Sequence, residues 1–240
     1  MPPHSADILS AIEAQDEGEQ QIAVWLDLPR SYLPLPVRDG ATKLNEAEPV
    51  LSELCPPERR PLLYATLETF ASLLAELEVR GAVYCGLGWH EAPDGAIVSS
   101  TLVVSLEYMG EPRDPRLVLG DLVTAAANAG DKGQADLVDL SNGPALFFER
   151  TRSLARPLLP GQQGDPGRTD VYQLEAVAPQ KRGEWIATVE FSTPDIDRGP
   201  LFREMMVLLA DSVSFTPPPG SDSENVSSRN IRDLLGGGSQ

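Results

Sequence analysis

The stretch 184–215 constrains the fold more than any other part of this chain, because a strand pattern leads directly into a helix pattern. Apolar side chains alternate along 185–191, which is typical of a strand that buries one face. Thr193 and Pro194 then mark a turn, and apolar residues recur at helical spacing over 200–212. A helix that follows a strand so closely packs its apolar side on the same sheet. We therefore predict a sheet with a helix on its face.

Periodicity elsewhere in the chain extends this prediction. Strand patterns occur at 22–28, 82–89, 97–108, 135–140, 145–154, 171–177 and 185–191. Helix patterns occur at 46–54, 58–79, 115–129 and 200–212. Successive strands are joined by short turns and interrupted by one helix, so the predicted fold class is α+β, an antiparallel β-sheet flanked by helices.

The pattern also predicts the apolar face of the long helix and the course of the chain after the first strand. The long helix carries one apolar stripe at three- and four-residue steps, formed by Leu63, Leu67, Phe70, Leu74 and Leu77. The prolines at positions 29, 34 and 36 predict an extended loop after the first strand, because proline lacks the backbone N–H of a strand ladder.

Composition divides the chain into three parts. We expect residues 1–20 to form a flexible acidic arm, in which Ile8, Leu9 and Ile12 would share one face of a short helix. Residues 21–215 are expected to form a single domain, because the long helix needs the later strands to cover its apolar stripe. Residues 216–240 are expected to form a disordered tail that starts with a linker rich in Pro, Gly and Ser.

Charge and composition exclude several classes of function. The net charge of −17 repels phosphate, which disfavours binding to nucleic acid and to anionic membranes. The N-terminus lacks the basic and apolar regions of a signal peptide, and no apolar run has the roughly 20 residues of a transmembrane helix. The two cysteines, Cys55 and Cys85, are therefore expected to be reduced. These observations predict a cytoplasmic protein without membrane insertion.

Residues with catalytic potential are few. His4 lies in the acidic arm, and His90 stands beside Glu91 near the end of a predicted strand. Because strand neighbours point to opposite faces, this pair is interpreted as a surface histidine beside a carboxylate, with acid–base or metal chemistry as the alternative. Two distant cysteines and one histidine do not match zinc-ligand spacing. We therefore predict no catalytic residue, no metal and no cofactor.

The tail contains the most specific functional pattern. Ile231, Leu234 and Leu235 would lie on one side of a short helix behind the linker. A short apolar helix on a tether suits docking into a groove of a protein partner. The alternative interpretation is a disordered terminus with chance apolar residues.

The C-terminal half resembles the PsbP-like superfamily. The resemblance rests on a strand ending in F-S-T-P at 191–194, a short acidic link and a helix ending in S-V-S-F at 212–215. The preceding strand pair with its Asn142-Gly143 turn is similar too, so the resemblance covers roughly 130–215. That superfamily includes photosystem extrinsic proteins, a Ran-binding import factor and many uncharacterised actinobacterial proteins. The resemblance implies an antiparallel sheet flanked by helices, a binding or scaffolding role and no shared catalytic motif. The amino-acid composition of the chain also resembles that of a high-GC actinobacterium.

Together these features predict a non-enzymatic interaction, scaffold or adaptor protein. It would dock a protein partner through its α+β core and through the tail motif. The alternative is a small-ligand-binding protein or an enzyme with a pocket on the sheet.

Overall fold

The computed structural model describes residues 9–14, 22–156, 165 and 167–217. Its strands are β1 (Leu9–Ala14), β2 (Ile22–Asp27), β3 (Tyr32–Leu35), β4 (Ala82–Glu91), β5 (Ile97–Tyr108), β6 (Gln134–Leu140), β7 (Gly143–Ala155), β8 (Arg168–Pro179) and β9 (Trp185–Thr193). Its helices are α1 (Gly40–Leu54), α2 (Arg60–Val79), α3 (Pro115–Asn128) and α4 (Arg203–Ser212). Short 3₁₀ turns precede α2 and α4 at Pro57–Arg59 and Gly199–Phe202.

Seven strands form one antiparallel sheet in the order β3-β4-β5-β9-β8-β7-β6, which confirms the α+β class. The sheet consists of two runs of neighbouring strands that meet where β5 pairs with β9. Leu102 lies opposite Phe191 in that pairing, and both side chains are fully buried. The two runs therefore share one core, although these partners are far apart in the chain.

The structure corrects the sequence-based prediction at two places near the N-terminus. The predicted proline loop contains the edge strand β3, whose residue Pro34 lies opposite Gly86 of β4. Proline is tolerated there because an edge strand leaves one side of its backbone unpaired. Residues 9–14 form a strand that pairs antiparallel with β2, rather than the helix predicted from Ile8, Leu9 and Ile12.

One face of the sheet carries the main core. α4 and β2 pack across it, so that Val24, Leu26, Met206 and Leu209 meet the apolar residues of β5, β8 and β9. Backbone hydrogen bonds of 2.8 and 2.9 Å between Trp25 and Ser214 join β2 to the segment that leaves α4. This face is therefore closed by a helix and a strand that lie far apart in sequence.

The opposite face is covered in two separate places. α3 packs on the β7–β8 side through Val118 and Leu119, and α2 reaches β4 and β5 through Leu77, which lies near Cys85. Polar residues on this face include Gln173, Glu175 and Arg150, which lie beside one another on β7 and β8. The helices thus form outer layers on both faces of the sheet.

Candidate functional site: an apolar helical hairpin and an end cleft

The antiparallel pair α1–α2 exposes an apolar surface where α1 ends and α2 begins. We call this surface the hairpin tip, and its residues are Val50, Leu51, Leu54, Leu62 and Tyr64, which are 37–79% exposed. Leu54 is the most exposed of the five, at 79%. Large apolar side chains in water are common singly, whereas several of them grouped around one turn make that region a candidate interaction surface.

The hairpin tip is exposed because the two helices have little cover. Gly40 is the one buried residue of α1, and α2 buries Ala65 and Leu74. The remaining residues of the predicted stripe are only half-buried, namely Leu63, Leu67, Phe70 and Leu77. The stripe predicted for α2 therefore exists, but the described part of the fold does not cover it completely.

The hairpin tip is held in a defined shape. The hydroxyl groups of Ser52 and Tyr64 lie 2.9 Å apart and join the two helices directly. Four prolines at positions 49, 56, 57 and 61 restrict the backbone around the turn. A rigid apolar surface loses little conformational entropy when a partner binds.

The charge around the hairpin tip is mainly negative. Its carboxylates are those of Glu46, Glu48 and Glu53 in α1 and Glu58 in the 3₁₀ turn, and its guanidinium groups belong to Arg59 and Arg60. This excess of carboxylates close to exposed apolar side chains complements a partner with an apolar stripe and basic flanks.

His90 lies in a network that sequence reasoning missed. Its imidazole Nε2 is 2.8 Å from the Ser100 hydroxyl, which is 3.0 Å from the Tyr32 hydroxyl. We call these three residues the polar triad. The His90 ring also packs against the rings of Tyr32 and Phe202. Strand register places Gly88 opposite Ser100, and His90 lies two positions from Gly88 on the same face, so only the β4–β5 pairing reveals this contact.

The polar triad has the chemistry of a structural network. Ser100 is 5% exposed, which blocks substrate from its hydroxyl. The third member is a phenol, and burial raises its pKa to about 12, whereas a carboxylate orients the base in serine hydrolases. Burial also lowers the pKa of His90. The His90 side chain is therefore half-buried in this network rather than on the surface as predicted, and the prediction of no catalytic residue stays a prediction.

A second polar cluster surrounds Arg150 on the opposite face. Its guanidinium lies 2.8 Å from Asp131 and 2.5 Å from Glu175, and its Nε donates to Gln173 at 2.7 Å. Desolvation raises the pKa of Glu175 against the opposing effect of Arg150. Each nitrogen of this guanidinium is thus engaged, and the bond to Asp131 holds the loop after α3 to the sheet.

A cleft of about 360 Å³ lies at one end of the sheet, beside the turns β6–β7 and β8–β9 and the end of α4. We call it the end cleft. Its apolar lining includes Leu140, Ala145, Ala178, Val213 and Phe215, and its rim includes Lys181 and Arg182. Such a volume is at the lower end of the range for ligand pockets.

The wall of the end cleft is held by hydrogen bonds. The Asn142 side-chain amide donates to the backbone carbonyls of Asp211 and Val213, at 2.9 and 3.2 Å. The Asp211 carboxylate accepts from the Ser141 backbone N–H at 2.6 Å. These contacts join the β6–β7 turn to the end of α4, so the cleft has a preformed shape.

The buried thiol Cys85 and the tail residues are the remaining positions singled out from the sequence. Cys85 is buried, and burial raises the pKa of its thiol to about 11. Ile231, Leu234 and Leu235 lie outside the described residues.

Within the described residues, no three His, Cys, Asp or Glu side chains cluster in a way that could hold a metal ion. No helix in the same part of the chain is long and apolar enough to cross a membrane.

Comparisons with protein-family models, curated proteins and solved structures gave no match to this chain. The PsbP-like resemblance therefore stays a prediction that rests on the sequence pattern of the C-terminal half.

Proposed function

We propose that this protein is a non-enzymatic adaptor that binds a protein partner through the hairpin tip. The exposed and rigid apolar surface formed by Val50, Leu51, Leu54, Leu62 and Tyr64 is the observation that carries the proposal. Tyrosine is among the usual anchors of an interface, and the exposed leucines and valine beside it add apolar area that a partner would remove from water.

The partner is inferred from the surface it would cover. An apolar centre favours an amphipathic helix that presents its own apolar side chains. The surrounding glutamates favour Lys or Arg beside that stripe, and they repel acidic proteins. A basic amphipathic segment of a cytoplasmic protein therefore fits the hairpin tip best.

The tail motif supplies a second contact in this proposal. Ile231, Leu234 and Leu235 would bind the same partner after the hairpin tip has engaged. Tethering makes the second contact intramolecular, which raises the overall affinity without enlarging either site. The PsbP-like resemblance supports this role, since the known members mostly bind or scaffold.

The decisive experiment compares two leucine substitutions of the same chemistry. Leu54→Ser removes an exposed side chain from the hairpin tip, and Leu208→Ser removes an exposed side chain from α4 on the other face. Both variants should fold, because neither leucine is buried. Full-length wild type and both variants are used to capture partners from the native host, with quantitative mass spectrometry as the readout.

We expect Leu54→Ser to reduce recovery of a specific partner about tenfold, which corresponds to about 1.4 kcal/mol of lost binding free energy. Leu208→Ser should retain that partner. Equal recovery with both variants would show that the hairpin tip is not the binding surface. The captured partner is then tested with purified components, and its binding segment should be basic and amphipathic.

A further inference from the structure

We propose that the end cleft binds the tail motif of the same chain, at Ile231, Leu234 and Leu235. This inference takes the tail motif of the proposed function as its occupant and assigns that motif a resting site on the core. The two ideas stand on different surfaces, since the hairpin tip and the end cleft share no residue.

The path of the chain provides the first argument. Ser214, Phe215 and Thr216 line the end cleft, and the described part of the chain ends one residue later. The hydrogen bonds between Ser214 and Trp25 anchor the chain at this point. The 23 residues from 218 to 240 therefore start at the rim of the cleft.

The length of the linker allows the motif to return. Fifteen positions separate Thr216 from Ile231. A flexible linker of that length has a root-mean-square span of about 20 Å, so the motif samples the space around the cleft. Short flexible linkers give effective concentrations in the millimolar range. Even a weak contact with the cleft is then populated.

Chemical complementarity provides the second argument. The cleft has an apolar lining, and the motif carries three large aliphatic side chains in an otherwise polar segment. Lys181 on the rim forms no ion pair within the described part of the chain, whereas Arg182 pairs with Glu184 at 3.2 Å. The tail carries Asp222, Glu224 and Asp233 against Arg229 and Arg232, so it is nearly neutral and Asp233 is the carboxylate that the motif itself would bring to the cationic rim.

The contact has a consequence for partner binding. A motif that rests in the end cleft must leave it before it engages a partner, so the two sites compete for the same side chains. Loss of the cleft contact should make the motif more available. The end cleft thereby regulates the second contact while leaving the hairpin tip unaffected.

The test uses amide NMR spectra of the full-length protein and three variants. Leu234→Ser with Leu235→Ser removes the apolar anchors of the motif. Ser227→Ala with Ser228→Ala is the matched control in the same tail, and Lys181→Glu reverses the charge of the rim. The expected result is a shift of the Ala178, Lys181 and Phe215 resonances in the leucine variant and no shift in the serine control.

Hydrogen exchange adds a quantitative readout. In wild type, amide hydrogen exchange at Leu234 and Leu235 should be slower than in an unstructured peptide of the same sequence. Lys181→Glu should accelerate this exchange about tenfold by weakening the contact with the cleft. Unchanged cleft resonances in the leucine variant would overturn the proposal. Cleft shifts that disappear on dilution would also overturn it, because the occupant would then be the tail of a second copy. Neither result would affect the Leu54→Ser comparison, which tests the hairpin tip alone.

Discussion

The imidazole Nε2 of His90 lies 2.8 Å from the Ser100 hydroxyl oxygen, and the imidazole packs at steep angles against the rings of Tyr32 in β3 and Phe202 in the 3₁₀ turn before α4. The hydrogen bond joins β4 to β5, and the ring contact with Phe202 joins both strands to the turn that leads into α4. A residue at the end of a hairpin strand thereby becomes part of the packing between layers.

This environment makes the stability of the protein depend on pH. Burial lowers the pKa of His90 from its usual value of 6.5, so the unfolded chain binds this proton more readily. The contribution of His90 to stability is full above the unfolded pKa and is lost as pH falls through it toward the folded pKa. Between about pH 7 and pH 5, we expect the urea midpoint to fall further in wild type than in His90→Gln. An equal fall of the urea midpoint in both proteins would contradict a lowered pKa of His90 in the folded state.

Gly88 has no side chain, and the polar triad occupies the space that a side chain would need. A Cβ atom at this position would lie 2.7 Å from His90 Nε2, 2.7 Å from Tyr32 Cε1 and 2.8 Å from Ser100 Oγ. We expect Gly88→Ala to lower the free energy of unfolding by about 1–3 kcal/mol through overpacking. Gly120→Ala is the control, because nothing lies within 4 Å of its added Cβ, and a gain of about 0.5–1 kcal/mol is expected in its helix. Equal stability of the two variants in urea unfolding would refute the steric argument.

Removal of the Arg150 side-chain charge should be costly. This side chain is 11% exposed, and Arg150→Met would leave the carboxylates of Asp131 and Glu175 without their shared partner. We expect a loss of about 3 kcal/mol in the free energy of unfolding near neutral pH. The loss should shrink on acidification, because protonation neutralises both carboxylates.

Arg80→Met provides the matched control for Arg150→Met. Arg80 pairs with Glu76 on the surface of α2, where the side chains are 70% and 58% exposed. Exposed pairs of this kind contribute less than about 1 kcal/mol. A similar loss in both variants, measured by urea unfolding, would mean that burial does not strengthen the Arg150 cluster.

The two thiols should differ in reactivity. Cys85 is 2% exposed, and burial raises its pKa to about 11, whereas Cys55 is partly exposed at the end of α1. We expect Ellman's reagent to modify Cys55 in the folded protein and both thiols in denaturant, because the thiolate is the reacting species. Rapid modification of Cys85 in the folded state would contradict its burial in the β4–β5 region.

The positions of most elements could be predicted because their signals are local. Alternation over Ile97–Tyr108 and helical spacing over Arg60–Val79 depend on neighbours within a few positions. The strand β3 escaped prediction because Pro34 is compatible with a strand only at a sheet edge. Edge position is a property of the whole sheet, which no local pattern contains.

The sequence by itself determined the α+β class, the order of the elements from β2 to α4 apart from β3, and the acidic character of the chain. Tertiary structure alone decided that β5 pairs with β9, that His90 meets Ser100, and that the apolar residues around Leu54 remain exposed. A leucine in an amphipathic helix has the same pattern whether or not another layer covers it. Whether another layer buries such a leucine depends on contacts between segments that are distant in the sequence. Those contacts form only when the complete core packs.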